Sequence, residues 1–260
     1  GTKSVECACP HKKELSMVID AKGVYYRFLN QKIREAVAKG EKEIYLKSVN
    51  GQRYIGDGLQ GDVKITIDGV PGNDLAAFMD GPTIIVNSNA QDCVANTMNA
   101  GKVVVHGHAG DVLGYGMRGG KLFIRGDAGY RVGIHMKAFK DNNPLIVIGG
   151  VARDFLGEYM AGGILILLGL DMKKGQSLAG NYLGTGMHGG TIYIRGKVED
   201  YQLGQEVGKA KMEDNDMDTV SKYLKEYCKD LGIDFKKVMD KEFLKLVPIS
   251  TRPYGKLYAY

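Results

Sequence analysis

The residues of this 260-residue chain that could do chemistry fall into four groups. Gly114, Gly116 and Gly119 match G-x-G-x-x-G, and Gly184, Gly186 and Gly189 repeat the match. Such a loop cradles a pyrophosphate only where it follows a strand and opens a helix whose N-terminus holds the charge. Here KLFIRG and TIYIRG follow, both strand-like, so the glycines read as structural. No Gly-Lys-Ser/Thr closes any of these runs, which excludes a P-loop. His106 and His108 would share one face of an extended strand, while His135 and His188 fall in other positions. A metal site needs further ligands and a second shell of hydrogen bonds, and solvated turn histidines are the expectation. Cys7, Cys9 and His11 offer one short Cys spacing where a structural zinc site takes four ligands. That segment reads as a flexible or partner-docking arm, with a metal or redox site as the lesser alternative. Asp92, Asp111 and Asp154 recur at one point of a repeat, as the convergent carboxylates of a β-helix glycosidase would. Asn73 and Asn181 occupy the same position, however, and Asp and Asn favour turns because they hydrogen-bond nearby backbone. The expectation is therefore no catalytic, cofactor-binding or metal-binding residue in this chain.

The elements that position these groups follow from the glycines. There are 37, about twice the ordinary share of roughly 7 per cent. With only 6 prolines, 44 per cent hydrophobic and 25 per cent charged residues, the chain is neither collagen-like nor low-complexity. The net charge of +5 comes from dispersed Lys and Arg, which is no nucleic-acid footprint. No apolar run approaches the roughly 20 residues of a membrane span, and the N-terminal residues lack a signal-peptide pattern, so a cytoplasmic location is expected. Four cysteines, Cys7, Cys9, Cys93 and Cys228, are too few and scattered for a disulfide framework.

All but Gly1, Gly23, Gly40, Gly232 and Gly255 lie between positions 51 and 208. That shift divides the chain into an N-terminal arm, helix and strand (1–50), a repeat domain (51–210) and a C-terminal helical segment with a tail (211–260). In the first part Asp20 could cap a helix carrying Val24, Phe28, Leu29, Ile33 and Val37 and ending at Gly40, with a strand over 43–49. In the last, Val220, Leu224, Tyr227 and Leu231 predict a helix stopped at Gly232, and Asp234 opens another that includes Phe243 and Leu246. In the middle, Met79, Met98, Met117 and Met136 are spaced by 19 residues, with Met160 and Met187 following after insertions at 139–143 and 170–180. Four positions before each Met stands an aliphatic residue; three before and two after it, only Gly or Ala. A short strand follows each unit, beginning at Ile65, Ile84, Val103, Leu122, Leu145, Leu165 and Ile192. This period fits a mainly β chain: a right-handed parallel β-helix of about seven coils with flanking N- and C-terminal α-helices. Alternation then places Ile85, Val104, Phe123, Ile146, Ile166 and Tyr193 on an outer apolar stripe, to be covered by terminal helices over part of its length and a partner over the rest.

The frame LGYGMRGGKLFIRG and LGTGMHGGTIYIRG resembles the GXGXG β-helix domain of the glutamate synthase large subunit, which also occurs in one of the subunits of formylmethanofuran dehydrogenase. The GEYMAGG segment is closest to the glutamate synthase version, and the resemblance covers about positions 45–208. It looks like the archaeal-type arrangement in which the large subunit is split into separate chains. The resemblance implies a non-catalytic scaffold subunit, no activity by itself, and partners of two kinds: a glutaminase subunit and a synthase subunit carrying FMN and iron-sulfur clusters. It implies no cofactor on this chain, and homo-oligomerisation is possible within such an assembly. The alternatives are a formylmethanofuran-dehydrogenase-type component and an independent β-helix enzyme acting on an extended polymer.

Overall fold

The computed structural model describes residues 17–139 and 142–249. Eleven strands form one sheet: β1 (Met17–Asp20), β2 (Glu43–Asn50), β3 (Lys64–Val70), β4 (Asp80–Val86), β5 (Ala100–Val105), β6 (Lys121–Ile124), β7 (Leu145–Ile148), β8 (Ala161–Leu167), β9 (Gly189–Arg195), β10 (Val207–Ala210) and β11 (Phe243–Pro248). From β1 to β9 each strand pairs in parallel with the next. These parallel ladders build a β-solenoid of about six turns, slightly fewer than the seven or so coils expected. The Cys7, Cys9 and His11 segment lies outside the described residues.

The inner ladder stacks like on like: Ile65, Ile84, Val103, Leu122, Ile146, Leu165 and Ile192 are in register and fully buried. All six methionines of the repeat are fully buried beside them. Ile146 corrects the expected outer stripe. Leu122 pairs with Ile146, which places Ile146 inside and Leu145 and Val147 outside. The insertion at 139–143 adds five residues between Met136 and β7, an odd number that reverses the in-out phase counted from a uniform coil.

Each coil turns its corner by an alternation of left-handed residues. Positive φ occurs five, three and one residues before each Met: at Val112, Gly114 and Gly116 in one coil, Arg131, Gly133 and His135 in the next, then Phe155, Gly157 and Tyr159. The same pattern runs from Tyr54, Gly56 and Gly58 through to Tyr182, Gly184 and Gly186. Only the middle position is restricted to Gly or Ala, because it alone faces the packed interior: a Cβ at Gly157 would fall 2.6 Å from Ile192 Cδ1. The outer two positions vary from Gly116 and Gly186 to side chains as large as Phe155 and Tyr159, despite a cost of about 1 kcal/mol or more for a non-glycine in this region.

The two ends differ. Helix α1 (Tyr26–Ala38) joins β1 to β2 and buries Leu29, Ile33 and Ala36 in the solenoid interior. Phe28, expected on that face, is exposed. Asp20 does not cap this helix; it ends β1 and accepts a hydrogen bond from the Lys22 N–H, and Tyr25 holds the cap position. At the far end, α2 (Asp214–Leu231) begins with a reciprocal Glu213–Asp216 capping box and ends at Gly232 in the left-handed conformation. The helix expected from Asp234 lasts only over α3 (Phe235–Val238). Phe243 and Leu246 lie instead on β11, which adds antiparallel to β9 and carries β10 at the edge. Residues three apart share one face of a helix but opposite faces of a strand; with Phe243 in the outer layer and Leu246 in the solenoid interior, both faces are buried, and pairing with the open edge of β9 makes the segment a strand.

Candidate functional site

The polar residues that spacing singled out are consumed by the coil corners. Asp92 Oδ1 accepts from the Asp111 N–H at 2.8 Å, Asp111 Oδ1 from the Tyr130 N–H at 2.9 Å, and Asp154 Oδ1 from the Asn181 N–H at 2.8 Å. Asn73 begins this series by accepting from the Asp92 N–H at 3.4 Å. A parallel series runs through Asn89, whose Oδ1 accepts from the His108 N–H, His108, whose Nδ1 accepts from the Asp127 N–H, and Asp127, whose Oδ1 accepts from the Val151 N–H. In each case the side chain of one coil satisfies an orphan backbone donor of the next. Glycines make this approach possible: Cβ atoms at Gly110, Gly129 and Gly180 would collide with the carboxylates of Asp92, Asp111 and Asp154. The expected turn role therefore holds for these carboxylates and for His108. Among the described residues no group of three or more His, Cys, Asp or Glu is arranged to hold a metal ion. The glycines of LGYGMRGG and LGTGMHGG lead into strands β6 and β9, where a nucleotide loop would open a helix.

The outer apolar stripe is covered by the chain itself over much of its length. Val104, Phe123, Val147, Ile166 and Tyr193 pack against Val220, Leu224, Tyr227 and Leu231 of α2 in a second buried layer. The Tyr227 hydroxyl donates to the Ile124 carbonyl at 3.0 Å, and its ring meets Phe123 edge-on at 5.5 Å. Gly149 leaves the space that this hydroxyl fills. Polar contacts flank the seam. Lys102 pairs with Asp230 at 2.7 Å and Glu226 at 2.9 Å, and Lys121 with Glu226 at 2.6 Å. At the start of the helix, Asp216 accepts from the Tyr193 hydroxyl at 2.6 Å and from Lys245 at 2.8 Å. Burial works against ionising Asp216, but the Lys245 and Tyr193 hydrogen bonds outweigh it and hold its carboxyl below the usual range. Glu226 is held low in the same way, burial being offset by Lys121 and Lys102. Burial pushes the Cys228 thiol up to about 11, so it behaves as a packed apolar side chain and not as a nucleophile.

A groove about 320 Å³ in volume lies across the coil corners. Its walls are Thr97, Tyr115, Arg118, His135, Lys137, Tyr159 and His188. The aromatic wall is continuous: Tyr115 meets His135 edge-on at 5.8 Å, and His135 stacks on Tyr159 at 5.1 Å with 15° between the rings. Both tyrosines remain about two-fifths exposed. Tyr159 lies over Gly186, where any Cβ would strike its ring. The other wall is the position after each Met, where Arg118, Lys137 and His188 stand. Adjacent to the groove, Phe155 and Tyr182 stack at 4.9 Å, and the Arg131 guanidinium sits 4.4 Å from the Phe155 ring centre while pairing with buried Glu158. Sequence reasoning placed His135 and His188 without joining them. The missed signal was columnar: His135 and Tyr159 stand one before the Met of their coils, Tyr115 two before, and Arg118, Lys137 and His188 one after, so side chains 19 to 27 positions apart become neighbours.

Comparison with known proteins agrees with this architecture. An uncharacterized protein of Methanocaldococcus jannaschii is 54% identical over 251 residues, covering 93% of this chain and 96% of that protein. A chain of the formyltransferase/hydrolase complex from Methylorubrum extorquens, whose crystal structure was solved with methylofuran, superposes with a TM-score of 0.59. That superposition covers 90% of this chain and 91% of the other at 19% identity, a likeness of fold. The profile of the GXGXG motif matches residues 39–249. With most of its length inside that match, the chain belongs to the GXGXG motif family.

Proposed function

We propose that this chain is a non-catalytic assembly subunit that holds the catalytic subunits of a multi-subunit complex together, and that the complex is a glutamate synthase. In this reading one partner hydrolyses glutamine, and another, carrying FMN and iron-sulfur clusters, aminates and reduces 2-oxoglutarate, giving two glutamates. The observation that carries the reading is how the polar residues divide. The aligned Asp92, Asp111, Asp154 and His108 serve neighbouring backbone, whereas Tyr115, Tyr159, Arg118 and Lys137 present an aromatic and cationic surface of the kind that binds partners. The carboxylates expected of an independent polymer-cleaving β-helix are thereby engaged in turns. The test is reconstitution: the purified chain should show no flavin absorbance and no turnover, and should restore glutamine-dependent glutamate formation when added to glutaminase and flavin subunits.

A second reading, a component of a formylmethanofuran-dehydrogenase-type complex, draws support from the fold shared with a chain of the formyltransferase/hydrolase complex. Native co-purification with tungsten or molybdenum proteins in place of a glutaminase would favour it.

A further inference from the structure

We infer that the groove between the Tyr115–His135–Tyr159 wall and the Arg118–Lys137–His188 wall is the seat of an extended acidic segment of a partner polypeptide. The inference rests on the assembly reading and adds the chemistry of the partner.

Three observations converge. First, Arg118 and Lys137 sit on adjacent coils, since the Arg118 N–H donates to the Met98 carbonyl and the Lys137 N–H to the Met117 carbonyl. They are therefore about 4.8 Å apart along the axis, and both are exposed with no ion pair among the described residues. Lys102 and Lys121, by contrast, are neutralised by Glu226 and Asp230. Two cations rising from adjacent coils with no ion-pair partner among the described residues favour an anion between them, and Arg prefers a planar carboxylate.

Second, the facing wall is built from large side chains in a costly backbone conformation. His135 and Tyr159 both have positive φ, at 55° and 52°, although glycine fills that position at Gly58, Gly116 and Gly186. Their rings stack on each other and on Gly186, so they form a rigid platform that loses little entropy when covered.

Third, the charge pattern fits a short acidic peptide better than a nucleic acid. The column carries Arg118 and Lys137 on adjacent coils, then Ala161, then His188, roughly 14 Å in all. It is preceded by exposed Asp80 in the same column, and Glu206 accepts the Gly186 N–H beside His188. A polyphosphate backbone running along the axis would meet those carboxylates, whereas a peptide can end or place neutral residues there.

The test uses the full chain and a fluorescein-labelled peptide of alternating Glu and Gly, about ten residues long, enough to cross roughly 14 Å at about 3.3 Å per residue. Fluorescence anisotropy at low salt should give saturable binding that weakens steeply as salt rises. The double substitution Arg118→Glu with Lys137→Glu should weaken it at least about tenfold, and Tyr115→Ala with Tyr159→Ala about fivefold. A control reversal at Lys173→Glu and Lys222→Glu, outside the groove, should leave it unchanged. Should the charge-reversed chain fail to fold, Arg118→Gln with Lys137→Gln replaces it. The inference is overturned by absence of saturable binding, by equal binding of a Gln-Gly peptide, or by undiminished binding to the double variant. Competition by free glutamate at equal carboxylate concentration, or tighter binding of a single-stranded oligonucleotide, also overturns it. If the double variant still assembles fully with its native partners, the groove is not the seat while the scaffold reading stands.

Discussion

At the scale of single residues, this chain uses polar side chains as mortar. Asp111 caps a backbone donor one coil away, and removing it leaves the Tyr130 N–H without that partner. Asp111→Ala is expected to cost about 1 kcal/mol, with Asp111→Asn recovering most of it; paired thermal melts check both. Size matters more than polarity at the small columns. A side chain at Gly119 would run into the Asn99 carbonyl of the coil below, and backbone cannot step aside as a flexible side chain does. Met117→Ala should cost about 2–5 kcal/mol as a cavity in the buried methionine ladder, and Gly119→Val at least as much. Unchanged melting midpoints in both variants would contradict the register. The small and methionine columns were legible in the sequence because each repeats at the coil length. The left-handed alternation was not, because Val112, Arg131, Phe155 and Tyr182 occupy positions where glycine would have announced it.

At the scale of elements, α2 carries the outer layer, and its seam is pH-sensitive in a definite direction. Asp216 and Glu226 both have carboxyls held below their ordinary values, so their contribution is present above the unfolded carboxylate range of about pH 4 and is lost as pH falls through their lower folded values. Asp216→Asn should therefore destabilise the chain at pH 7 by roughly 3 kcal/mol, since it strands Lys245, and the difference from the parent should shrink toward pH 3. Denaturant melts at the two pH values read this directly. The helix itself was legible from Val220, Leu224, Tyr227 and Leu231 with Gly232 behind them, and so was the stripe it covers. The phase of β7 was not, because a five-residue insertion inverts alternation without changing composition. Nor was β11, whose strand character comes from the free edge of β9 and not from its own pattern. No helix among the described residues is long and apolar enough to cross a membrane.

At the scale of the whole molecule, the solenoid behaves as a rod with two finished ends and one open side. Helix α1 closes one end from within, and β11 and β10 close the other by antiparallel pairing, which removes the exposed parallel edge on which coils would otherwise stack. One outer face is covered by α2, and the corner face is left with its aromatic and cationic groove. A rod built of stacked, fully hydrogen-bonded coils suits holding other chains at fixed separation. The groove was beyond the reach of linear reading because its walls unite residues from five coils, none of which points to a site in its own segment. The assembly role is read out by isolating the chain from its native source under gentle conditions, identifying the chains that accompany it, and assaying glutamine-dependent glutamate formation with and without it. Stable association with a glutaminase and a flavin iron-sulfur subunit is expected, with activity that falls when this chain is withheld and returns when it is added back. A chain that runs alone, or that turns over substrate unaided, would contradict that role.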